Sequence, residues 1–159
     1  MAYIMNQDRC VNPRPISFKN NIEELQRGLL LEIEGMAKND TWLDGVTDDY
    51  EAYKVKLASP TTAIGDLVVH TSVPNMYDER LTERDFALEK GKAGRGHYLT
   101  TGDEYTFSAD MVTGVSAVGE EVELASEGKL ALKSSGTAVG EVVKVYTWNG
   151  QKSVMIRFY

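Results

Sequence analysis

The sequence is poor in cysteine, histidine and basic residues, and each shortage excludes a class of protein. Cys10 is the only cysteine, so neither an internal disulfide nor a cluster of thiolate metal ligands can form. Lysine and arginine total 17 against 24 aspartates and glutamates, which gives a formal net charge of −7. Because binding to nucleic acid or to an anionic membrane relies on clustered basic residues, this balance predicts neither partner.

Long apolar runs are also missing. No stretch approaches the roughly 20 consecutive apolar residues that a membrane-spanning helix needs. The first nine residues lack a basic start followed by a long apolar segment, so no signal peptide is expected. With 159 residues, 42% of them hydrophobic, the chain is expected to form one globular domain without stabilising cross-links.

What the sequence does contain is alternation of apolar and polar residues between turn signals, and this is clearest near the C-terminus. Residues 142–148 and 152–158 alternate on either side of Asn149-Gly150, a dipeptide that favours a two-residue hairpin turn. A two-residue turn fixes which residues lie opposite each other. The predicted pairs include Val145 with Val154 and Val143 with Ile156.

Similar alternation elsewhere predicts further short strands. The predicted hairpins surround residues 126–128 and 102–103, and single strands are predicted at 29–33, 53–57 and 67–71. Two short helices are predicted, at 21–27 with Asn20 or Asn21 as cap and at 82–89. The fold class is therefore mainly β, as an antiparallel β-barrel or sandwich of short strands with minor helix.

Two segments break this rhythm of strands and turns. Residues 1–20 contain Pro13 and Pro15 and few periodic apolar positions, so they are predicted to form an extended N-terminal arm. Residues 74–96 are rich in charge and glycine, and they are predicted to be a long insertion between strands. The expected organisation is an arm at 1–20 followed by a single β-rich domain at 21–159.

No catalytic, cofactor-binding or metal-binding site is predicted, because the candidate residues lack the spacing that such chemistry needs. His70 and His97 are each interpreted as packed or surface residues, and Cys10 as an inert thiol. The acidic residues of segment 40–51 lack the Asp-x-Asp-x-Asp-Gly order of a calcium loop. Residues 91–96 lack the Gly-Lys-Ser/Thr of a phosphate loop and are interpreted as a solvated basic turn.

The C-terminal part of the chain resembles a family of virus structural proteins. The turn and strand patterns that carry the resemblance are Gly-Glu-Glu-Val-Glu-Leu at 119–124, Gly-Lys-Leu at 128–130, residues 135–142, and the hairpin around Asn149-Gly150. They resemble small β-rich head-decoration, or cement, proteins that tailed bacteriophages encode beside the major capsid gene. Residues 53–55, 75–79 and 91–95 are also similar, so the resemblance covers about two thirds of the chain.

The resemblance implies a non-enzymatic capsid decoration protein that binds the outer surface of the major capsid lattice and stabilises the head. The implied location is the virion, after synthesis in the host cytoplasm. The major capsid protein is the implied partner, and whether the chain also pairs with copies of itself stays open. An extended arm could add a strand to a capsid edge. Its candidate capsid anchors are Tyr3, Ile4, Ile16 and Phe18.

Two other functions remain open from the residues. A head-fibre or tail component could bind a host-surface glycan through Tyr146 and Trp148, the aromatic residues of the last hairpin. A small hydrolase could use a carboxylate pair, or His70 or His97 with an acid.

Overall fold

The computed structural model describes residues 5–36, 53–72, 86–148 and 150–159, and within these ranges the chain is built of short strands. In chain order the strands are β1 (Met5–Arg9), β2 (Pro15–Lys19), β3 (Glu24–Gln26), β4 (Leu30–Met36), β5 (Tyr53–Leu57), β6 (Leu67–His70), β7 (Ala87–Glu89), β8 (Ala93–Tyr98), β9 (Glu104–Ser108), β10 (Val112–Thr113), β11 (Glu121–Leu124), β12 (Leu130–Leu132), β13 (Ala138–Trp148) and β14 (Gln151–Phe158). Two 3₁₀ turns, Ile64–Asp66 and Ser126–Gly128, are the helical elements of the described ranges. The predicted mainly β fold is confirmed.

The strands form a small closed barrel and a larger open sheet. Five strands close the barrel in the order β2-β5-β4-β6-β8, and seven form the sheet in the order β1-β9-β14-β13-β11-β12-β10. Strands β3 and β7 pair with each other as a separate ribbon. Most pairs are antiparallel, and the exceptions are β2 with β5 and β10 with β12.

Strands β4 and β6 are apolar on both faces because they lie between two cores. Leu31 and Val68 belong to the barrel interior, which they share with Phe18. Leu30 and Val69 face the other way and pack in the core of the seven-stranded sheet. All four residues of β6 are buried, as expected for a strand covered on both sides.

The barrel interior depends on glycines of β8. A Cβ atom added at Gly94 would lie 2.5 Å from Cζ of Phe18 and 2.6 Å from Cδ2 of Leu88. A Cβ atom at Gly96 would meet the side chain of Val68. The missing side chains therefore make room for the barrel core. The interpretation of residues 91–96 as a solvated basic turn is wrong for residues 93–96, which belong to a barrel strand.

The predicted N-terminal arm differs from the structure. Residues 5–9 form β1, which pairs with β9 at the edge of the sheet. Residues 15–19 form β2, which pairs with β5 and β8 in the barrel. The proline-containing segment between them is short, and after it Ile16 and Phe18 pack against the core of the barrel. The described part of residues 1–20 is therefore part of the folded body.

Both predicted helices are wrong where the structure describes them. Residues 24–26 of the first are strand β3, and residues 87–89 of the second are strand β7, its antiparallel partner. Leu25 and Leu88 lie opposite each other in this ribbon and are both buried in the barrel core. Residues 82–85 of the second helix lie outside the described residues, as do residues 74–85 of the predicted insertion.

The predicted hairpin around residues 102–103 is also wrong, because β8 and β9 belong to different sheets. The connection turns at Gly102, where φ is +91°. It is fixed by buried Asp103, whose carboxylate accepts the backbone N–H groups of Thr100 at 2.9 Å and Val11 at 2.8 Å. The hairpin around residues 126–128 is confirmed as the antiparallel pair β11 and β12.

The register of the last hairpin is confirmed beside its turn and shifts farther away. Val145 lies opposite Val154 as predicted, but the register changes between Val142 and Lys144. Ile156 consequently lies opposite Val142 instead of Val143. An extra residue in one strand is a β-bulge, which the alternation of the sequence did not reveal.

Candidate interaction surfaces

The four predicted capsid anchors do not lie together on one surface. Tyr3 and Ile4 lie outside the described residues. Ile16 is half-buried against the barrel core. Phe18 is fully buried there, with its ring 5.6 Å from that of His70. Phe18 is therefore a core residue, and the prediction that it anchors the protein to a capsid does not fit its position.

Strand β1 forms one edge of the seven-stranded sheet and is tied to it through side chains. Gln7, Asp8 and Arg9 are exposed. The hydroxyl of Thr106 on β9 donates to Oδ2 of Asp8 at 2.6 Å and accepts from the hydroxyl of Tyr146 at 2.7 Å. This relay crosses the outer face of the sheet and fixes the edge strand, whose outer side is where a partner strand could pair.

Tyr146 and Trp148 are half-buried rather than fully exposed. The ammonium of Lys144 lies 4.4 Å from the centroid of the Tyr146 ring, a cation–π contact that covers one face of the ring. The Tyr146 hydroxyl is already bonded to Thr106. A sugar stacking on Tyr146 would have to displace Lys144 or use the opposite ring face.

His70 and Ser72 form a buried pair in the barrel. Nδ1 of His70 donates to the carbonyl of Gln26 at 2.9 Å, which leaves Nε2 to accept from the Ser72 hydroxyl at 2.8 Å. The Ser72 oxygen accepts the backbone N–H of Arg95 at 3.0 Å. Burial is the main cause that lowers the pKa of His70 to about 4, so the imidazole is neutral at pH 7.

Ser72, His70 and the carbonyl of Gln26 are linked in the order of a nucleophile, a base and an orienting group. The surroundings of this group are nevertheless those of a buried core. Both side chains are completely buried, and the rings of Phe18 and Phe86 contact the imidazole. A substrate atom cannot reach the Ser72 hydroxyl without opening the barrel.

His97 forms a hydrogen bond between its Nδ1 and the hydroxyl of Thr71 at 2.9 Å. Burial lowers the pKa of His97.

A surface groove of about 520 Å³ lies between the loop at residues 60–64 and the loop at residues 135–139. Glu123 contributes the carboxylate of this groove, and its oxygens already accept the backbone N–H groups of Ser134 at 3.1 Å and Gly136 at 2.6 Å. These N–H donors lower the pKa of Glu123. The Ser134 hydroxyl donates to the same carboxylate at 3.1 Å, so all three of these donors come from the loop, and the carboxylate fixes the conformation of that loop.

The other residues that the sequence analysis considered for a site do not come together where the structure describes them. Cys10 is a half-buried free thiol near the buried Tyr105, whose pKa is raised mainly by burial. Among the described residues, no group of three or more histidine, cysteine, aspartate or glutamate side chains is placed to hold a metal ion. The acidic residues of segment 40–51 lie outside the described ranges. None of the helical elements described has the length and hydrophobicity to cross a membrane.

An interaction surface that the sequence did not predict is the open edge of β13. Strand β11 pairs with β13 only as far as Glu141, and the backbone of Val142 bonds to Glu120 and Gly119. From residue 143 to residue 148, the strand that pairs with β13 in the described part of the chain is β14. The alternation of apolar residues predicts a strand here but cannot show that one side of it lacks a neighbour.

Comparison with known proteins adds no family assignment. No protein-family model matches the chain, and none of the curated proteins matches it in sequence.

Proposed function

We propose that the chain is a non-enzymatic virion protein that decorates the capsid of a tailed bacteriophage. In this role it binds the outer surface of the major capsid protein lattice and stabilises the head. The proposal rests on the resemblance of residues 118–159, and the structural observation that supports it most directly is the exposed edge strand β1. A decoration protein needs a stable body and an adhesive segment, and it needs no catalytic centre.

Strand β1 offers the kind of contact that lattice binding requires. It is paired on one side only in the described structure, and its preceding residues include Tyr3 and Ile4. A capsid strand could add to this edge through main-chain hydrogen bonds, while apolar residues supply the side-chain contacts. Because many copies bind one particle, weak individual contacts would be sufficient to stabilise the shell.

The burial of His70 and Ser72 favours this function over the hydrolase hypothesis. The glycan-binding hypothesis receives less support than from the sequence alone, since Tyr146 presents only part of its ring. Both remain testable with the same purified protein, through a hydrolase activity screen and a glycan array.

The direct test is cosedimentation of the purified protein with undecorated capsids, together with the thermal melting of those capsids. We expect saturable binding and a raised melting temperature. Replacing Tyr3 and Ile4 together with alanine should reduce binding and leave the circular dichroism spectrum unchanged. Val118→Ala, which truncates an apolar side chain that is 64% exposed, is the matched control and should bind normally.

Two results would overturn the proposal at different levels. If no protein sediments with the capsids and their melting temperature does not move, the decoration function is wrong. If the Tyr3 and Ile4 variant binds as well as the unaltered chain, the function stands but the N-terminal edge is not the attachment site.

A further inference from the structure

The groove between the loops at residues 60–64 and 135–139 has Glu123 as the one charged residue among the described residues of its lining. Oε2 of this carboxylate accepts the backbone N–H groups of Ser134 and Gly136, and Oε1 accepts the Ser134 hydroxyl. A carboxylate has about four sites for hydrogen-bond donors, two on each oxygen. One site therefore stays open, and it lies on Oε1.

The negative charge of this carboxylate is retained and held in place. The two backbone N–H donors are the main cause that lowers the pKa of Glu123, so the side chain is ionised at pH 7. Lys133 is the base beside it, and the ammonium of Lys133 already lies 3.4 Å from Oε2 of Glu121. The groove thus presents negative charge in a chain whose net charge is −7, which favours a cationic ligand.

A single open site on Glu123 distinguishes between the two strongly basic side chains of proteins. The guanidinium fork of arginine binds a carboxylate best through both oxygens at once, and both sites on Oε2 are already taken by the loop. An ammonium is a compact point charge that needs one oxygen only. The geometry therefore favours lysine over arginine.

The rest of the groove suits the aliphatic stem of a lysine and the peptide around it. Pro60, Ala63 and Ile64 line one side, and Ile64 is 44% exposed. The methylene groups of a lysine pack on such a surface while the ammonium keeps a polar partner. A volume of about 520 Å³ exceeds what one side chain fills, and the hydroxyls of Ser135 and Thr137 can bond to peptide groups.

Both sides of the groove are held by bonds within the chain. On one side, the Thr62 hydroxyl donates to Oε2 of Glu32 at 2.6 Å and accepts the backbone N–H of Ser59 at 2.9 Å. On the other side, the donors to Glu123 fix the loop at residues 134–136. Because the ordering of loops on binding lowers affinity, a groove that is already ordered favours association.

We propose that this groove binds a lysine side chain presented by a segment of a partner protein, with the ammonium on Oε1 of Glu123 and the stem along Pro60 and Ile64. The site does not depend on the decoration function, because any protein segment that presents a lysine can occupy it. A failure of lysine binding and a failure of capsid binding are therefore separate results.

NMR titration of the isotope-labelled full chain with end-blocked glycyl-lysyl-glycine tests the site. We expect saturable shifts of the Ser134 and Gly136 amide signals. The norleucine counterpart keeps the stem but loses the charge, so it should bind about tenfold more weakly. The arginine counterpart should also bind more weakly than the lysine peptide. So should n-butylamine, which keeps the stem and the charge but has no peptide groups.

Variants of the groove test the role of Glu123. Glu123→Gln removes the charge, and the lysine peptide should then bind about tenfold more weakly. Because this change also removes an acceptor of the loop, Thr137→Lys gives a test that leaves Glu123 in place. The new ammonium lies in the groove and competes for Oε1, so the peptide should again bind about tenfold more weakly. Thr137→Gln adds a side chain nearly as long without the charge and is the matched control, which should bind much better than Thr137→Lys.

Four outcomes would overturn the proposal. The first is the absence of shifts up to the solubility limit of the lysine peptide. The second is a norleucine or arginine peptide that binds as tightly as the lysine peptide. Equal affinities of Thr137→Lys and Thr137→Gln would refute the role of the charge, and this comparison decides if Glu123→Gln does not fold. Equal affinities for n-butylamine and the lysine peptide would make the groove a site for small amines instead of a protein segment.

Discussion

Replacing Phe18 with alanine should destabilise the whole protein, because its ring lies at the centre of the small barrel. The side chain is fully buried and contacts the imidazole of His70 at a ring-centroid distance of 5.6 Å. Its Cζ atom occupies the space that a Cβ atom at Gly94 would need, only 2.5 Å away. With five strands closed around it, the site cannot collapse to fill a cavity left by the missing ring.

The expected loss of unfolding free energy is about 3–5 kcal/mol, the range for truncating a buried phenylalanine. That is a large part of the roughly 5–15 kcal/mol that stabilises a typical domain. Urea denaturation followed by circular dichroism measures it. With a denaturant slope of about 2 kcal/mol per molar urea, the unfolding midpoint should fall by about 2 M.

A double-mutant cycle adds a test of the contact itself. Gly94→Ala alone should be destabilising by about 1–3 kcal/mol, because the new methyl group overlaps the ring. Combined with Phe18→Leu, which shortens the side chain, the same substitution should be less harmful than in the unaltered chain. Substitutions on the surface change the free energy of unfolding by less than about 0.5 kcal/mol. If Phe18→Ala has so small an effect, Phe18 does not lie in the barrel core, and residues 1–20 would again be interpreted as an extended arm.

Three further predictions concern pH, a loop and a turn. The pKa of His70 is lowered from its ordinary value of 6.5 to about 4 in the folded state, so the unfolded chain takes up the proton first as the pH falls. The free energy of unfolding should therefore decline between about pH 6.5 and pH 4. In His70→Gln, the free energy of unfolding plotted against pH should lose the slope that His70 contributes over this range. Glu123→Gln should speed hydrogen exchange at the Gly136 amide, measured by NMR, and an unchanged rate would contradict the anchoring role of the carboxylate. Gly128→Ala should lower the melting temperature more than Gly119→Ala: both glycines have positive φ, but only the Cβ atom at 128 would strike a backbone oxygen, that of Leu30 at 2.5 Å. Equal losses would show that the clash is relieved.

Local signals in the sequence predicted the hairpins whose partners are neighbours in the chain. Strands β13 and β14 pair directly with each other, and so do β11 and β12 on either side of the turn at 126–128. Glycine at a turn specifies the local conformation, and alternation then specifies the face of each residue. Local alternation does not reveal the bulge near Val143, beside which Val142 bonds to Glu120 and Gly119, residues more than 20 positions away in the chain.

The first predicted helix shows how a correct local signal can lead to a wrong element. Asn20 was predicted as a possible helix cap, and its Oδ1 does accept the backbone N–H of Ile22 at 2.9 Å. Its Nδ2, however, donates to the carbonyl of Leu88 at 2.7 Å, 68 residues away in the chain. That contact joins the segment to β7 and favours a strand at residues 24–26 over a helical turn. Only the tertiary structure could supply it.

The position of β1 and β2 changes what can serve as an adhesive segment. An extended arm of about 20 residues would lose roughly 1–2 kcal/mol of backbone entropy per residue when it docked on a partner. In the structure, residues 5–9 and 15–19 are already ordered by the sheet and the barrel, so docking at β1 would not repeat that loss for them. A partner strand would meet an edge already fixed by the relay from Tyr146 through Thr106 to Asp8. Preorganised edges of this kind favour binding through main-chain hydrogen bonds, and few buried anchors are then needed.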